Sequence, residues 1–268
     1  MLKDITLGQY FPGNSIAHKL DPRTKILLVT LYIIALFSAK GWMGYAVMAV
    51  TLAACVKVSH VGLRALVRGL KPLVFIIAFT GILNMFFTPD THYLWEWGIL
   101  RVSVKGIENA LFMVIRIMLL VMGTFLMTYT TSPIRLTDGL ESLLNPLKKI
   151  HVPVHELAMM MAIALRFIPT LIEETDKIMS AQKARGADFE SGKLMERAKA
   201  LIPILVPLFI SAFRRADELA TAMECRCYQG GEGRTKMKQL HYQRNDFAAF
   251  GAAALLTAAV IILKKFGM

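Results

Sequence analysis

The sequence is poor in charged residues, in acidic residues and in cysteine, and each shortage excludes a class of protein. Only 19% of its 268 residues are charged and 55% are apolar, whereas ordinary soluble domains are about 25% charged. A disordered chain would need more charge and fewer apolar residues. Three cysteines are too few for a small secreted domain held by disulfides. The composition therefore argues against these classes and against a plain soluble enzyme, and it favours a membrane protein.

Five apolar stretches approach the lower end of the roughly 17–25 residues that a spanning helix needs. Each has polar or basic residues at its ends, among them Lys25 and Lys40 at the ends of the first, and Arg116 is the one basic residue far from the ends of a stretch. The sequence therefore predicts an all-α membrane protein with about five transmembrane helices plus long cytoplasmic or interfacial amphipathic helices. The five stretches are Thr24–Gly41, Trp42 to about Ser59, Pro72–Thr88, Ile107–Tyr129 and Phe247–Leu263.

The basic residues are distributed unequally about these stretches. The chain has 31 Lys and Arg against 19 Asp and Glu. Twenty-five of those 31 basic residues precede the first span, separate the second from the third, or lie between the fourth and the fifth. The positive-inside rule places that side in the cytoplasm. We therefore expect a multi-pass protein of the cell membrane, with membrane helices in 1–131, a cytoplasmic region in 132–245 and a C-terminal membrane helix in 246–268.

The cytoplasmic region is predicted to consist of helices. Ser132-Pro133 supplies an N-cap oxygen followed by proline at the first helical position. Two longer helices follow, from Pro153 to about Lys183 and from about Lys193 to Arg226, and both begin apolar and finish polar. Such helices can lie along the membrane boundary and project their far ends into the cytoplasm.

The far ends of the two long helices resemble each other. Asp176 stands nine residues before Arg185, and Asp217 stands nine residues before Arg226. Small residues flank both arginines: Ala184 and Gly186 in one case, Cys225 and Cys227 in the other. An arginine at a helix C-terminus can simply complement the macrodipole. The duplication instead favours two docking hooks, because small neighbours let a guanidinium enter a pocket and bind oxygens bidentately.

Several other chemistries fit the sequence poorly. Glu173-Glu174 and Asp217-Glu218 read better as a solvated, salt-bridged helix face than as catalytic pairs, because adjacent helical residues point in different directions. Cys225-x-Cys227 is weak evidence for a metal site, and no metal site is expected. The sequence has no G-x-x-x-x-G-K-[ST] phosphate loop. Nucleic acid is not an expected partner, because membrane orientation already accounts for the positive charge.

Long segments of the chain resemble the transmembrane T component of energy-coupling factor (ECF) importers, which are ABC-type transporters of vitamins and similar micronutrients. The resemblance covers nearly the whole length. The matching segments are HKLDPRTK (His18–Lys25), TTSPIRLTDGLESLLNPLKKI (Thr130–Ile150), VPVHELAMMMAIALRFIPTLIEE (Val152–Glu174), AQKARGADFESG (Ala181–Gly192) and VPLFISAFRRADELATAMECRCYQGGEGRTKM (Val206–Met237).

The resemblance implies a non-catalytic coupling subunit. In that family, two Ala-Arg-Gly motifs at the ends of coupling helices dock into two similar or identical ATP-binding subunits, and an interchangeable substrate-binding membrane S component is the other partner. Carried over, Ala184-Arg185-Gly186 is an intact first motif, while Cys225-Arg226-Cys227 departs by two cysteines. The chain is expected to bind no cofactor itself, with ATP and Mg²⁺ held by the ATPase subunits.

Two alternatives from other classes stay open. A stand-alone secondary transporter or channel would need ionisable or broken-helix sites near mid-bilayer, and apart from Arg116 the spans offer few. A membrane enzyme is disfavoured because the sequence shows no nucleophile–base or metal constellation.

Overall fold

The computed structural model describes residues 10–88, 93–97, 100–189, 194–231 and 239–265. Helices dominate, as predicted, and one hairpin of two short antiparallel strands interrupts them. The helices are α1 (Ile16–Lys19), α2 (Pro22–Ser38), α3 (Gly41–Ser59), α4 (Leu63–Leu70), α5 (Val74–Phe87), α6 (Val104–Thr130), α7 (Pro133–Leu144), α8 (Val154–Ala184), α9 (Leu194–Glu224) and α10 (Arg244–Lys265). Three-residue and six-residue 3₁₀ turns follow α4 and α7, and the strands are β1 (Tyr93–Trp97) and β2 (Leu100–Ser103).

The prediction of an all-α membrane protein is confirmed. Five of the described helical segments are long and apolar enough to cross a membrane by length and composition: Gly41–Ser59, Leu63–Phe87, Val104–Thr130, Val154–Ala184 and Arg244–Lys265. This set differs from the predicted spans in two ways. Helix α2 has 17 residues, which reach only about 26 Å of the roughly 30 Å hydrocarbon core, so its role as a span stays a prediction. Helix α8, predicted to lie at the membrane boundary, also meets the criteria.

Contacts divide the chain into two compact units. The described residues of 10–142 and 240–265 form one unit, and the described residues of 143–239 form the other. The first unit is therefore discontinuous in sequence. Helix α7, predicted to begin the cytoplasmic region, falls almost entirely in this unit, where Gly139 lets it approach Pro22 closely.

The core of the first unit is formed by α2, α3, α4, α6 and α10. Gly123 of α6 lies directly against the ring of Tyr32, which a β-carbon would displace. The Tyr32 hydroxyl then donates to the Leu119 carbonyl at 3.1 Å, so α2 and α6 are joined by both packing and a hydrogen bond. The fully or nearly buried apolar residues are Ala35, Leu36, Ala39, Tyr45, Met48, Leu52, Val56, Val61, Leu66, Leu119, Tyr129 and Val260.

A buried carboxylate joins the start of α10 to the start of α2. The side chain of Asp246 is fully buried. Its Oδ1 accepts from the Asp21 N–H at 2.9 Å and its Oδ2 accepts from the Gln243 N–H at 2.7 Å. Nearby, the Lys25 ammonium donates to the Thr130 carbonyl at 2.8 Å and so binds the end of α6. The segment predicted as the start of the first span therefore forms the junction of three helices.

Replacing Asp246 by alanine is expected to destabilise this unit. The buried N–H of Asp21 and the partly buried N–H of Gln243 lose their acceptor, and leaving a buried donor unpaired costs about 1–3 kcal/mol. Asp246→Asn keeps one acceptor oxygen, so its effect should be roughly half as large. Intrinsic tryptophan fluorescence of the detergent-purified protein gives the apparent unfolding temperature. Equal temperatures for Asp246→Ala and the parent chain would contradict this role.

Arg116 of α6 has aromatic neighbours. Its Nε–H donates to the Tyr45 hydroxyl at 2.8 Å, and its guanidinium lies 5.6 Å from the ring centroid of Phe37 and 5.7 Å from that of Tyr45. Glu108 instead accepts from the indole N–H of Trp42 at 3.3 Å. The arginine is thus held among helices α2, α3 and α6, and its packing against them favours a structural use.

Candidate docking ends of the two long helices

Helix α8 ends at the motif Ala184-Arg185-Gly186. The Gly186 N–H donates to the Lys183 carbonyl and the Ala187 N–H donates to the Gln182 carbonyl, both at 3.0 Å. Gly186 has φ +86°, the left-handed conformation that commonly ends a helix in this hydrogen-bonding pattern. Glycine suits the position because it has no β-carbon to clash in that conformation.

Helix α9 ends with the same backbone geometry. The Cys227 N–H donates to the Glu224 carbonyl at 2.8 Å, and the Tyr228 N–H donates to the Met223 carbonyl at 3.1 Å. Cys227 has φ +58°, so it takes the left-handed conformation although it has a β-carbon, at a cost of roughly 1–2 kcal/mol. The departure of the second motif from Ala-Arg-Gly therefore leaves the backbone conformation unchanged.

The two left-handed positions predict opposite effects of substitution. Gly186→Ala should fray the end of α8, since it adds about 1 kcal/mol of left-handed strain although nothing lies within 4 Å of the added β-carbon. Cys227→Gly should tighten the end of α9 by a similar amount, because it removes that strain. Amide hydrogen exchange of residues 183–187 and 224–228 measures both. The idea fails if exchange at neither helix end changes.

The motif side chains are open to solvent. All six motif residues, 184–186 and 225–227, are exposed. Within the described part of the chain, neither the Arg185 nor the Arg226 guanidinium has a hydrogen-bond or ion-pair partner. Both cations are therefore available to oxygens of another molecule.

The likeness of the two helix ends extends two further turns into each helix. The Ser180 hydroxyl donates to the Asp176 carbonyl at 2.7 Å, and the Thr221 hydroxyl donates to the Asp217 carbonyl at 2.9 Å. Ser180 and Thr221 stand five residues before Arg185 and Arg226 respectively. Asp176 and Asp217, which stand nine residues before the motif arginines, thus accept equivalent hydrogen bonds at their backbone carbonyls. Such hydroxyl bonds bend a helix slightly.

A three-residue clamp, Glu174, Ser211 and Arg215, joins α8 to α9. The Arg215 Nη2 donates to Glu174 Oε2 at 2.8 Å, and the Ser211 hydroxyl donates to Glu174 Oε1. Sequence spacing predicted ion pairs within each helix and did not identify this one between the helices. The sequence does contain one indication of this pair: Glu174 and Arg215 each stand eleven residues before a motif arginine.

The two long helices run antiparallel where they touch. Glu174 bonds Ser211, and eight residues further along α8 the Gln182 amide donates to the carbonyl of Pro203, eight residues earlier in α9. Beyond α9, Gly231 packs against the His155 ring at the start of α8. Arg185 and Arg226 therefore lie on opposite sides of the clamp.

An apolar stripe is exposed along the first half and the middle of α9. Its four members stand at positions 202, 206, 209 and 213, and this spacing of 4, 3 and 4 residues places them on one helical face. An exposed apolar surface of this kind marks a partner or membrane contact. Pro203 and Pro207 interrupt this half, and α9 is not among the described helices that meet the criteria for crossing a membrane. The stripe, with exposed fractions, is Ile202 54%, Val206 53%, Phe209 61% and Phe213 68%.

The cysteines of the second motif stand apart from other metal-binding groups. Cys225 and Cys227 are free, exposed thiols. Among the described residues, no group of three or more His, Cys, Asp or Glu side chains is placed to hold a metal ion. At this helix end the Arg226 guanidinium therefore stands in sequence between two thiols.

Comparison with known proteins finds close relatives over the full length. A family model described as CbiQ, cobalt transport protein, matches residues 13–237. Proteins named energy-coupling factor transporter transmembrane protein EcfT are similar throughout. That of Ruminiclostridium cellulolyticum is 54% identical over 264 residues, covering 98% of both chains. That of Thermosediminibacter oceani is 55% identical over 261 residues, covering 97% of this chain and 98% of its own. That of Bacillus subtilis is 46% identical over 264 residues, covering 98% and 100%.

Proposed function

This chain belongs to the CbiQ family as a transmembrane component of an energy-coupling factor transporter, and on that premise we propose that it couples two ATP-binding subunits to a substrate-binding membrane subunit. The transported substrates are vitamins or similar micronutrients. The single observation that carries the coupling role is the repetition of an exposed arginine, with the same backbone geometry, at two helix ends on opposite sides of the clamp.

Arg185 and Arg226 dock the ATP-binding subunits. Each guanidinium is exposed and has no partner among the described residues, and a planar guanidinium binds carboxylate or carbonyl oxygens bidentately. Two nearly identical ends fit two similar grooves. Because the sequence has no phosphate loop, the partner subunits bind ATP with Mg²⁺ and hydrolyse the ATP. This chain acts without a catalytic centre of its own.

The apolar stripe of α9 receives the substrate-binding membrane subunit. Four large apolar side chains on one face, each more than half exposed, are costly to leave in water. A partner that is itself embedded in the membrane supplies an apolar surface at the same depth. Met160 and Met161 of α8 are exposed as well, and flexible thioethers suit a surface that accepts several partners.

Charge supports the orientation. The side that carries 25 of the 31 basic residues includes the N-terminus and the two docking ends, and the positive-inside rule places it in the cytoplasm. ATP-binding subunits reach the docking ends only from that side. A cysteine-accessibility assay with a membrane-impermeant reagent should label Cys225 in inverted vesicles and leave it unlabelled in intact cells.

Affinity purification from native membranes tests the whole proposal. We expect mass spectrometry to identify ATP-binding proteins with phosphate-loop sequences, either two similar ones or two copies of one, and one small integral membrane protein. Liposomes with the complete assembly should take up substrate only when ATP is supplied. Uptake by the purified single chain without ATP-binding subunits would overturn the proposal in favour of a secondary transporter or channel.

A further inference from the structure

The clamp of Glu174, Ser211 and Arg215 occupies matching places in the two helices. Eleven residues separate Glu174 from Arg185, and eleven separate Arg215 from Arg226. At 1.5 Å per residue each interval spans about 16 Å of helix. We call residues 175–185 and 216–226 the two arms. The clamp therefore joins the two helices at the N-terminal end of both arms.

Both arms are free of the features that bend helices strongly. Pro169 precedes Glu174 in α8, and Pro203 and Pro207 precede Arg215 in α9. Proline kinks a helix, whereas an uninterrupted helix transmits displacement along its axis. Each arm is thus a stiff segment between the clamp and one motif arginine. Because the helices run antiparallel there, the arms point in opposite directions and their arginines lie about 30 Å apart.

The clamp is a charged connection between the two helices. Both carboxylate oxygens of Glu174 are engaged, one by a hydroxyl and one by a guanidinium. A second, longer hydrogen bond of 3.4 Å runs from the Gln182 amide of α8 to the Pro203 carbonyl of α9. Charge-assisted bonds are shorter and stronger than neutral ones and have a defined direction. A charged contact at this point therefore limits how far the helices can slide or rotate against each other.

We propose that Glu174, Ser211 and Arg215 are positioning residues that hold the two arms at a set separation and angle, so that movement of either ATP-binding subunit is transmitted through the clamp to the apolar halves of both helices. This inference rests on the proposed docking of Arg185 and Arg226. It identifies the clamp as the pivot between the two docked arms. Loss of the clamp leaves both arginines exposed and able to dock, but it uncouples one arm from the other.

A charge-exchange series tests the clamp. The variants are Glu174→Arg, Arg215→Glu, the double exchange Glu174→Arg/Arg215→Glu, and Ser211→Ala. Glu173→Arg is the matched control, since Glu173 is exposed, adjacent and has no partner among the described residues. Charged residues in contact commonly couple by roughly 2- to 150-fold in an equilibrium constant. The double exchange restores opposite charges, whereas each single change places like charges together.

The first measurement uses the full chain alone in nanodiscs. Spin labels are placed at Lys183→Cys and Glu224→Cys, equivalent exposed positions two residues before each motif arginine, with Cys55→Ser, Cys225→Ala and Cys227→Gly as background. We expect one narrow distance distribution in the parent and in Glu173→Arg, a broadened or shifted one in each single reversal, and recovery in the double exchange. Unchanged distances in both single reversals would overturn the clamp.

The second measurement uses the complete complex in liposomes. Each single reversal should lower substrate uptake per ATP hydrolysed by at least about twofold, with both ATP-binding subunits still bound, and the double exchange should restore it. A merely structural role would lower uptake and ATP hydrolysis together and leave their ratio unchanged. Failure of the docking proposal shows as ATP-binding subunits that stay bound to Arg185→Glu/Arg226→Glu, whatever the spin-label distances of the clamp variants, so the two failures are distinguishable.

Discussion

Reversing the charge of both motif arginines, Arg185→Glu and Arg226→Glu, should release the chain from its ATP-binding subunits. Breaking one buried, hydrogen-bonded charge contact at an interface costs about 2–5 kcal/mol, which is roughly 30- to 4,000-fold in affinity. Either single change should leave the complex attached at one end. The double change should abolish co-purification and, with it, ATP-dependent uptake.

Arg214→Glu provides the matched control for this loss. Arg214 is also exposed and also lies on α9, twelve residues before Arg226, and the charge change is identical. Its complex should stay intact because no docking end is altered. Both changes lie at exposed helix ends, so the abundance of the double variant in membranes should equal that of the parent. Normal co-purification of the double variant would show that the arginines are not the docking contacts.

Truncation of the apolar stripe should remove the membrane partner and leave the ATP-binding subunits in place. Phe209 and Phe213 are the most exposed members of the stripe, and large aromatic side chains commonly dominate the binding energy of an interface. If each contributes about 2 kcal/mol and the two add, Phe209→Ala/Phe213→Ala should weaken binding of the substrate-binding subunit by roughly 700-fold. Quantitative mass spectrometry of the purified complex measures both partners in one sample.

Phe75 and Phe79 of α5 supply the control pair. They have the same spacing of four residues and comparable exposure, 77% and 53%, but they lie on a helix suited to cross the membrane. Phe75→Ala/Phe79→Ala should leave both partners bound, because lipid fills the space that the rings vacate. Loss of the ATP-binding subunits together with the membrane subunit in the α9 variant would contradict a division of labour between stripe and arms.

The long helices could be predicted closely because their pattern is local. The predicted helix from Pro153 to about Lys183 corresponds to Val154–Ala184, and the predicted fourth span corresponds to Val104–Thr130 within three residues at its start. Hydrophobic period and terminal residues act within a few turns. The role of the two arginine motifs as docking sites stays a prediction, since it concerns surfaces of other chains.

Features that depend on how elements meet were missed. The hairpin of β1 and β2 was not predicted, although the alternation of Tyr93, Trp95 and Trp97 is a strand signal. The bond from Glu174 to Arg215 requires the register of α8 against α9, which neither helix specifies alone. The junction at Asp246 joins residues 225 positions apart, and no pattern within a short window indicates such a partner.

The pairing of α2 with α10 has a consequence for biosynthesis. Asp21 finds its partner Asp246 only after the ribosome has added 225 more residues, which takes roughly 10–45 s at 5–20 residues per second. Residues 143–239 are synthesised during that interval, before α10 is available to complete the first unit. The two docking helices thus have time to form first, while the surface of α2 that α10 later covers stays exposed.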